Sequence, residues 1–278
     1  MSRFFVISLQ SSQPKSGERY KSIDGLRGLL ATVVLASHTL TFCNSSLLVP
    51  VSSLCVCAFF VMSGYVLTNS YNNNYLAFLT KRFTRLWPVY AACLGLGYAV
   101  AGVAANWSQF FWYPILTPES LPAIDPPIWS LCIEAWAMLF MPLFVWIGRG
   151  PALVVFLGPL AITAAGAFET KLLFGLFFVF GSIASRYVFR CRLLEGRLLQ
   201  GLGRISYTLY LVHYPLLSFA HRNFGEKGVI FALPFVFAVA WLLCRYLDEP
   251  SVRLSRALSR RVQRALMRPV ASTPFPAG

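Results

Sequence analysis

The chain has 278 residues, 57% of them hydrophobic and only 12% charged. A soluble domain carries roughly 25% charged residues, so a water-covered globule is excluded. The formal net charge of +14 would point to nucleic acid in a soluble protein. In so apolar a chain it asks instead which membrane face carries the charge.

The chain opens with a short apolar stretch, "FFVISL", followed by a polar segment. This lacks the length of a signal peptide, and residues 1–21 are read as a cytoplasmic leader. Apolar runs then recur. A bilayer core of about 30 Å takes about 20 helical residues, and we place about eight transmembrane helices on that basis, near 27–45, 52–70, 86–104, 128–147, 151–168, 172–189, 202–220 and 229–247. Strands of a membrane barrel would be shorter and would alternate in polarity. The expected fold is all-α, a polytopic integral membrane helical bundle, with the membrane domain over 22–250 and a basic tail over 251–278. With both termini in the cytoplasm, only Lys171, Arg222 and Lys227 fall outside. That asymmetry selects N-in and C-in. The basic charge then lies along one membrane face, where anionic lipid headgroups attract it, and no nucleic-acid partner is expected. The tail "VRLSRALSRRVQRALMR" has arginines on one side and Leu254, Leu258 and Val262 on another. It reads as an amphipathic helix on the inner leaflet or as a solvated basic tail. Most of the seven cysteines lie in apolar runs, as small buried hydrophobes do. Cys43 and Cys55 flank one short loop and can pair if that loop is extracytoplasmic.

Ionisable side chains inside a membrane are costly and face a cavity or a partner. His38, Glu134 and His213 stand out. In "SIDGLRGLLATVVLASH", Arg27 and His38 lie on nearly one helix face, about 16 Å apart along the axis. An arginine at the inner mouth and a histidine deeper on the same face suit a channel that takes an anion at one end and does proton chemistry further in. A histidine hydrogen-bonded to a neighbouring helix is the alternative. Asp24 marks the same mouth. Glu134 shares its face with Ser130 one turn earlier, and is expected about 9 Å below the outer surface. Ser206, Tyr210 and His213 form one polar stripe. Span placement puts His38, Glu134 and His213 at a similar depth, as one polar chamber. At the inner face, "KRFTRLWP" sets Lys81, Arg82 and Arg85 at spacings that let them converge on one anion. Ser63–Gly64 permits a close helix contact or ligand approach. No metal site is expected.

Together, "DGLRGLLATVVLASH", "FFVMSGYVL", "KRFTRLWPVY", "WSLCIEAW" and "LGRISYTLYLVHYPLL", in that order, with "YLDEPSVRLSR" at the end, resemble the acyltransferase-3 family of integral membrane O-acyltransferases. The resemblance implies a bacterial-type inner-membrane enzyme. It would move an acyl group, usually acetyl, from cytoplasmic acyl-CoA to a sugar hydroxyl of an exported glycan or glycosylated product. No cofactor would be bound, acyl-CoA being a co-substrate, and the partners would be that donor, the glycan acceptor and membrane lipid. The resemblance makes His38 the catalytic histidine and places Arg27 in its element. Arg82 and Arg85 would serve the CoA phosphates, and Glu134 and His213 match further family positions. On that reading Lys81, Arg82 and Arg85, with Arg27, bind the polyanionic end of CoA, and Glu134 or another polar group holds the His38 tautomer. Members commonly have ten core helices, against the eight expected here. No extracytoplasmic domain follows the last span, so the chain is expected to act alone or with a separate partner. A proton-coupled transporter or flippase, or an inactive family-shaped subunit, is the competing class. A transporter would show paired halves and broken segments, and no internal repeat is seen.

Overall fold

A computed structural model describes residues 5–9, 21–71, 73–104, 125–149 and 170–267. A five-residue strand, β1 (Phe5–Leu9), is followed by three long helices, α1 (Lys21–Phe42), α2 (Val49–Ser70) and α3 (Tyr75–Ala101). A 3-10 turn, Pro126–Ile128, leads into α4 (Trp129–Leu139), and α5 (Met141–Arg149) follows across Phe140. Then come α6 (Thr170–Ala184), β2 (Tyr187–Cys191), α7 (Arg197–Leu243), a π turn (Cys244–Asp248) and α8 (Glu249–Leu266). β1 pairs antiparallel with β2, Phe5 opposite Cys191 and Leu9 opposite Tyr187. This ties residues 5–9 to the strand between α6 and α7, an addition to the all-α expectation.

Glycine decides how the helices approach. On α1, a Cβ at Gly28 would strike the backbone of Leu202 and Gly203 on α7, and one at Gly203 would strike the Asp24 carbonyl. The two backbones therefore cross in direct contact, as small residues allow in a membrane. Gly64 on α2 and Gly181 on α6 make a second crossing of the same kind, sealed by Thr68 and Ser182 at 2.5 Å. Ser63–Gly64 thus serves a helix contact.

The eight expected spans fare unevenly. α1 and α2 are long and apolar enough to cross a membrane, as is the continuous run Arg197–Leu266, and α6 supplies a shorter apolar helix, Phe174–Ala184. The fourth span is broken at Phe140, and the fifth, 151–168, lies outside the described residues. The seventh and eighth are one helical run folded back on itself at Gly225 (φ 64°, ψ −160°). Beyond that glycine the chain returns antiparallel. Thr208 donates to the Ala240 carbonyl at 2.8 Å, and the Cys244 thiol to the Arg204 carbonyl at 3.4 Å. The outer surface is apolar, with Phe231 81% and Trp146 73% exposed. Water would penalise that surface and lipid does not.

Two local expectations are corrected. Cys43 and Cys55 are both free thiols. Cys55 is buried in the core beside α3 and α7 side chains, while Cys43 faces the Glu226 carbonyl. α8 does not lie alone on a leaflet either. Ser251 and Ser255 are buried and Ser259 donates to the Ala77 carbonyl on α3 at 2.9 Å, because small hydroxyl residues on one face let it pack against a neighbouring helix.

Candidate active site

The α1–α7 crossing fixes a register. Gly28 meets Gly203, and ten residues further along each helix His38 meets His213, Nδ1 to Nε2, at 2.7 Å. Ten residues of helix span about 15 Å. The two helices therefore run parallel, the direction two odd-numbered spans require. The second ring nitrogen of His213, Nδ1, lies 3.1 Å from the Leu209 carbonyl. A carbonyl only accepts, so His213 Nδ1 carries the proton and a neutral His213 presents a bare Nε2. His38 must then donate from Nδ1, which leaves its own Nε2 as an unprotonated lone pair. One backbone carbonyl thus sets the tautomer of both rings. His213 is 1% exposed and His38 half-buried, so the outer ring of the pair is the one a substrate can reach. Tyr214 packs edge-on to His38 with centroids 5.5 Å apart.

Tyr210, one turn before His213, exchanges a hydrogen bond with Ser130 at 2.9 Å, and both hydroxyls reach the Pro127 carbonyl, at 3.3 and 3.0 Å. The 3-10 turn before α4 is therefore anchored at the level of the imidazoles, inside the bundle rather than at its surface. This corrects the depth expected for Glu134. Five residues beyond Trp129, it lies further toward the Arg27 end. There it accepts from Ser63 at 3.3 Å and interacts through space with Arg27. The single chamber resolves into two groups: His38, His213, Tyr210 and Ser130 in one, Glu134 and Ser63 in the other. Ser206 bonds back to the Gly203 carbonyl of its own helix at 2.8 Å.

Around Arg27 the charges of four elements gather. Arg85 from α3, Asp24 from α1, Glu134 from α4 and Asp248 from the π turn all fall within its electrostatic reach. The basic trio of α3 divides. Arg85 belongs to this cluster. Arg82 is buried, with Nη2 donating to Ser70 at 2.8 Å and its guanidinium 5.8 Å from the Phe78 ring centre. Lys81 lies within electrostatic reach of Arg82, Arg85 and Arg256 of α8. Asp248 and Arg256 are site neighbours that the sequence reading missed. Only the "YLDEPSVRLSR" ending signalled them. A third is Asp125, 1% exposed just ahead of the 3-10 turn, both of whose carboxylate oxygens lack a hydrogen-bond partner. An apolar cavity of about 430 Å³ lies between α3 and α4, lined by Phe83, Trp87, Leu131 and Met138 among others. Neither histidine lines it, so it is separate from the imidazole pair.

A family model described as an acyltransferase domain matches residues 20–194, more than half of the chain. The chain belongs to the acyltransferase-3 family. The matched region holds Arg27, His38, Lys81, Arg82, Arg85 and Glu134 and stops short of α7, so the family match by itself does not reach His213. A curated relative named "Protein 2 in picA locus", from Rhizobium radiobacter, is 36% identical over 87 residues. That stretch covers 28% of this chain and 44% of the relative, less than half of its length. No solved structure matches the chain.

Proposed function

We propose that the protein is a membrane O-acyltransferase of bacterial-type inner membrane, with both termini cytoplasmic. It moves an acyl group, acetyl in the first instance, from cytoplasmic acyl-CoA to a sugar hydroxyl of an exported glycan or glycosylated product. The observation that carries this reading is the 2.7 Å His38–His213 contact anchored on Leu209, which leaves His38 with a basic Nε2 facing the half-open side. Family membership supports acyl transfer. The cationic residues Lys81 and Arg82 of α3, with Arg256 of α8 in electrostatic reach of Lys81, suit a polyanionic donor.

In this mechanism the acceptor oxygen attacks the thioester carbonyl carbon as His38 Nε2 takes its proton. The C–S bond breaks, CoA leaves as thiolate, and the imidazolium returns the proton to the sulfur. General base catalysis of this kind contributes typically 10²–10⁴-fold. His213 holds the His38 tautomer, a task expected from the sequence of Glu134 or another polar group. An acyl-His38 intermediate is the covalent variant, and exchange of labelled CoA into acetyl-CoA without acceptor separates the two.

Thermal stabilisation of the purified protein by acetyl-CoA tests the donor, with ATP as the charge-matched control. Ligand at about 100 times its Kd adds roughly 2.7 kcal/mol. The wild type and His38→Ala are expected to shift with acetyl-CoA, the Arg82→Ala/Arg85→Ala protein is not, and His38→Ala is expected to have lost transfer. An equal shift with ATP, or full transfer by His38→Ala, overturns the proposal.

A further inference from the structure

The cluster around Arg27 is electrically the wrong shape for a phosphate. It sets two arginines, Arg27 and Arg85, against three carboxylates, Asp24, Glu134 and Asp248. With every group charged, the cluster is net negative. A diphosphate placed among these five would meet one more negative charge than positive. The groups do not neutralise one another by contact either. Among the described residues no ion pair within 4.0 Å joins any two of them. Asp248 is 6% exposed, and its Oδ1 is buried without a partner, as is the Nε of Arg85. Asp248 interacts through space with both Arg85 and Arg27. Arg27, Arg85, Asp24 and Glu134 are each half-buried. Buried polar atoms are expected to have partners. Here donors and acceptors stand opposite one another, apart, with two of them unsatisfied.

Such a site fits a neutral group that both donates and accepts. A carbonyl oxygen answers a guanidinium, and an N–H or O–H answers a carboxylate. Acyl-CoA carries such groups along its pantetheine arm, as two amides and a hydroxyl between the diphosphate and the sulfur. The purely cationic set lies beside the cluster, where Lys81 is in electrostatic reach of Arg82 on its own helix and of Arg256 on α8, and also of Arg85 at the edge of the cluster. We infer that the donor site is divided, with Lys81, Arg82 and Arg256 taking the phosphates and the Arg27–Arg85–Glu134–Asp248 cluster taking a pantetheine amide or hydroxyl on the way to His38. This rests on the acyl-CoA reading above and reassigns Arg27 and Arg85 within it.

Ligand-induced thermal stabilisation decides the matter without an acceptor. The probes are acetyl-CoA, S-acetyl-pantetheine (arm without nucleotide) and 3′,5′-ADP (nucleotide without arm). The wild type is expected to shift with all three. Asp248→Ala is expected to weaken binding of S-acetyl-pantetheine about tenfold or more, as loss of a charge-assisted hydrogen bond does, while its 3′,5′-ADP shift stays as in wild type. The Lys81→Ala/Arg256→Ala protein is expected to do the reverse. Glu134→Gln, on another helix, repeats the arm-specific loss should Asp248→Ala not fold. An Asp248 or Glu134 variant that loses 3′,5′-ADP binding, or keeps that of S-acetyl-pantetheine, overturns the division, as does a wild type that S-acetyl-pantetheine does not stabilise. A wild type that acetyl-CoA itself does not stabilise overturns the donor reading instead.

Discussion

The chemistry of His38 depends on an atom that belongs to no side chain. The Leu209 carbonyl orients His213, and His213 Nε2 then accepts a hydrogen bond from His38 Nδ1 at 2.7 Å. Replacing His213 by Phe removes the acceptor and frees the His38 ring to adopt either tautomer. kcat is expected to fall about 10²-fold, the low end of what a general base supplies, with the donor KM unchanged. His213→Gln, whose amide carbonyl can accept the same hydrogen bond, is expected to recover part of the loss. Steady-state kinetics on the three proteins checks this, since a merely structural role for His213 would not follow the acceptor chemistry. The same contact shows what a sequence can carry at this scale. His38 and His213 each read as anomalous in an apolar run, but nothing in either run identifies the other as its partner.

At the scale of elements, glycine sets the geometry in two different ways. At Gly28 and Gly203 the absent Cβ lets two parallel helices touch, and their register then brings the imidazoles together ten residues on. At Gly225 the requirement is backbone, because φ 64° with ψ −160° is open essentially to glycine alone. No neighbouring atom lies within 4 Å of a Cβ placed there, so Gly225→Ala tests conformation without crowding. It is expected to cost about 1–3 kcal/mol. Gly201→Ala, equally uncrowded but inside regular helix, is expected to add about 0.5–1 kcal/mol. Thermal unfolding of the pair, one Tm down and one up, checks both. Hydropathy marked the two arms of α7 as separate spans, and the structure puts the reversal between them at Gly225. The polar stretch from His221 to Lys227 marks where the chain turns, but not that one backbone torsion within it makes the reversal.

For the whole molecule, the distribution of charge carries the proposed orientation. β2, with Cys191, lies at the Arg27 end, where Ser22 of α1 bonds the Cys191 amide at 2.9 Å. Cys43 lies beyond His38 near the α7 turn. Both thiols are half-buried. If the basic end is cytoplasmic, a membrane-impermeant maleimide is expected to label Cys191 in inverted vesicles and Cys43 in right-side-out spheroplasts, in variants keeping one cysteine each. The opposite pattern would reverse the topology and move the donor site to the other face.

Composition and hydropathy by themselves determined that this chain is helical and apolar on the outside, because too few charges exist to cover it in any other way. The order of motifs determined the family. Spacing along one helix linked Arg27 to His38, since helical periodicity is a local property. What paired with what was decided only by tertiary structure. The π turn that brings Asp248 under Arg27 and Arg85, the approach of Arg256 on α8 to Lys81 on α3, and the buried entry of α4 that takes Glu134 away from the imidazoles all depend on how helices far apart in the chain pack. Depth counted from a span boundary fails where that boundary is itself drawn into the bundle, as the Pro127 carbonyl is by Tyr210.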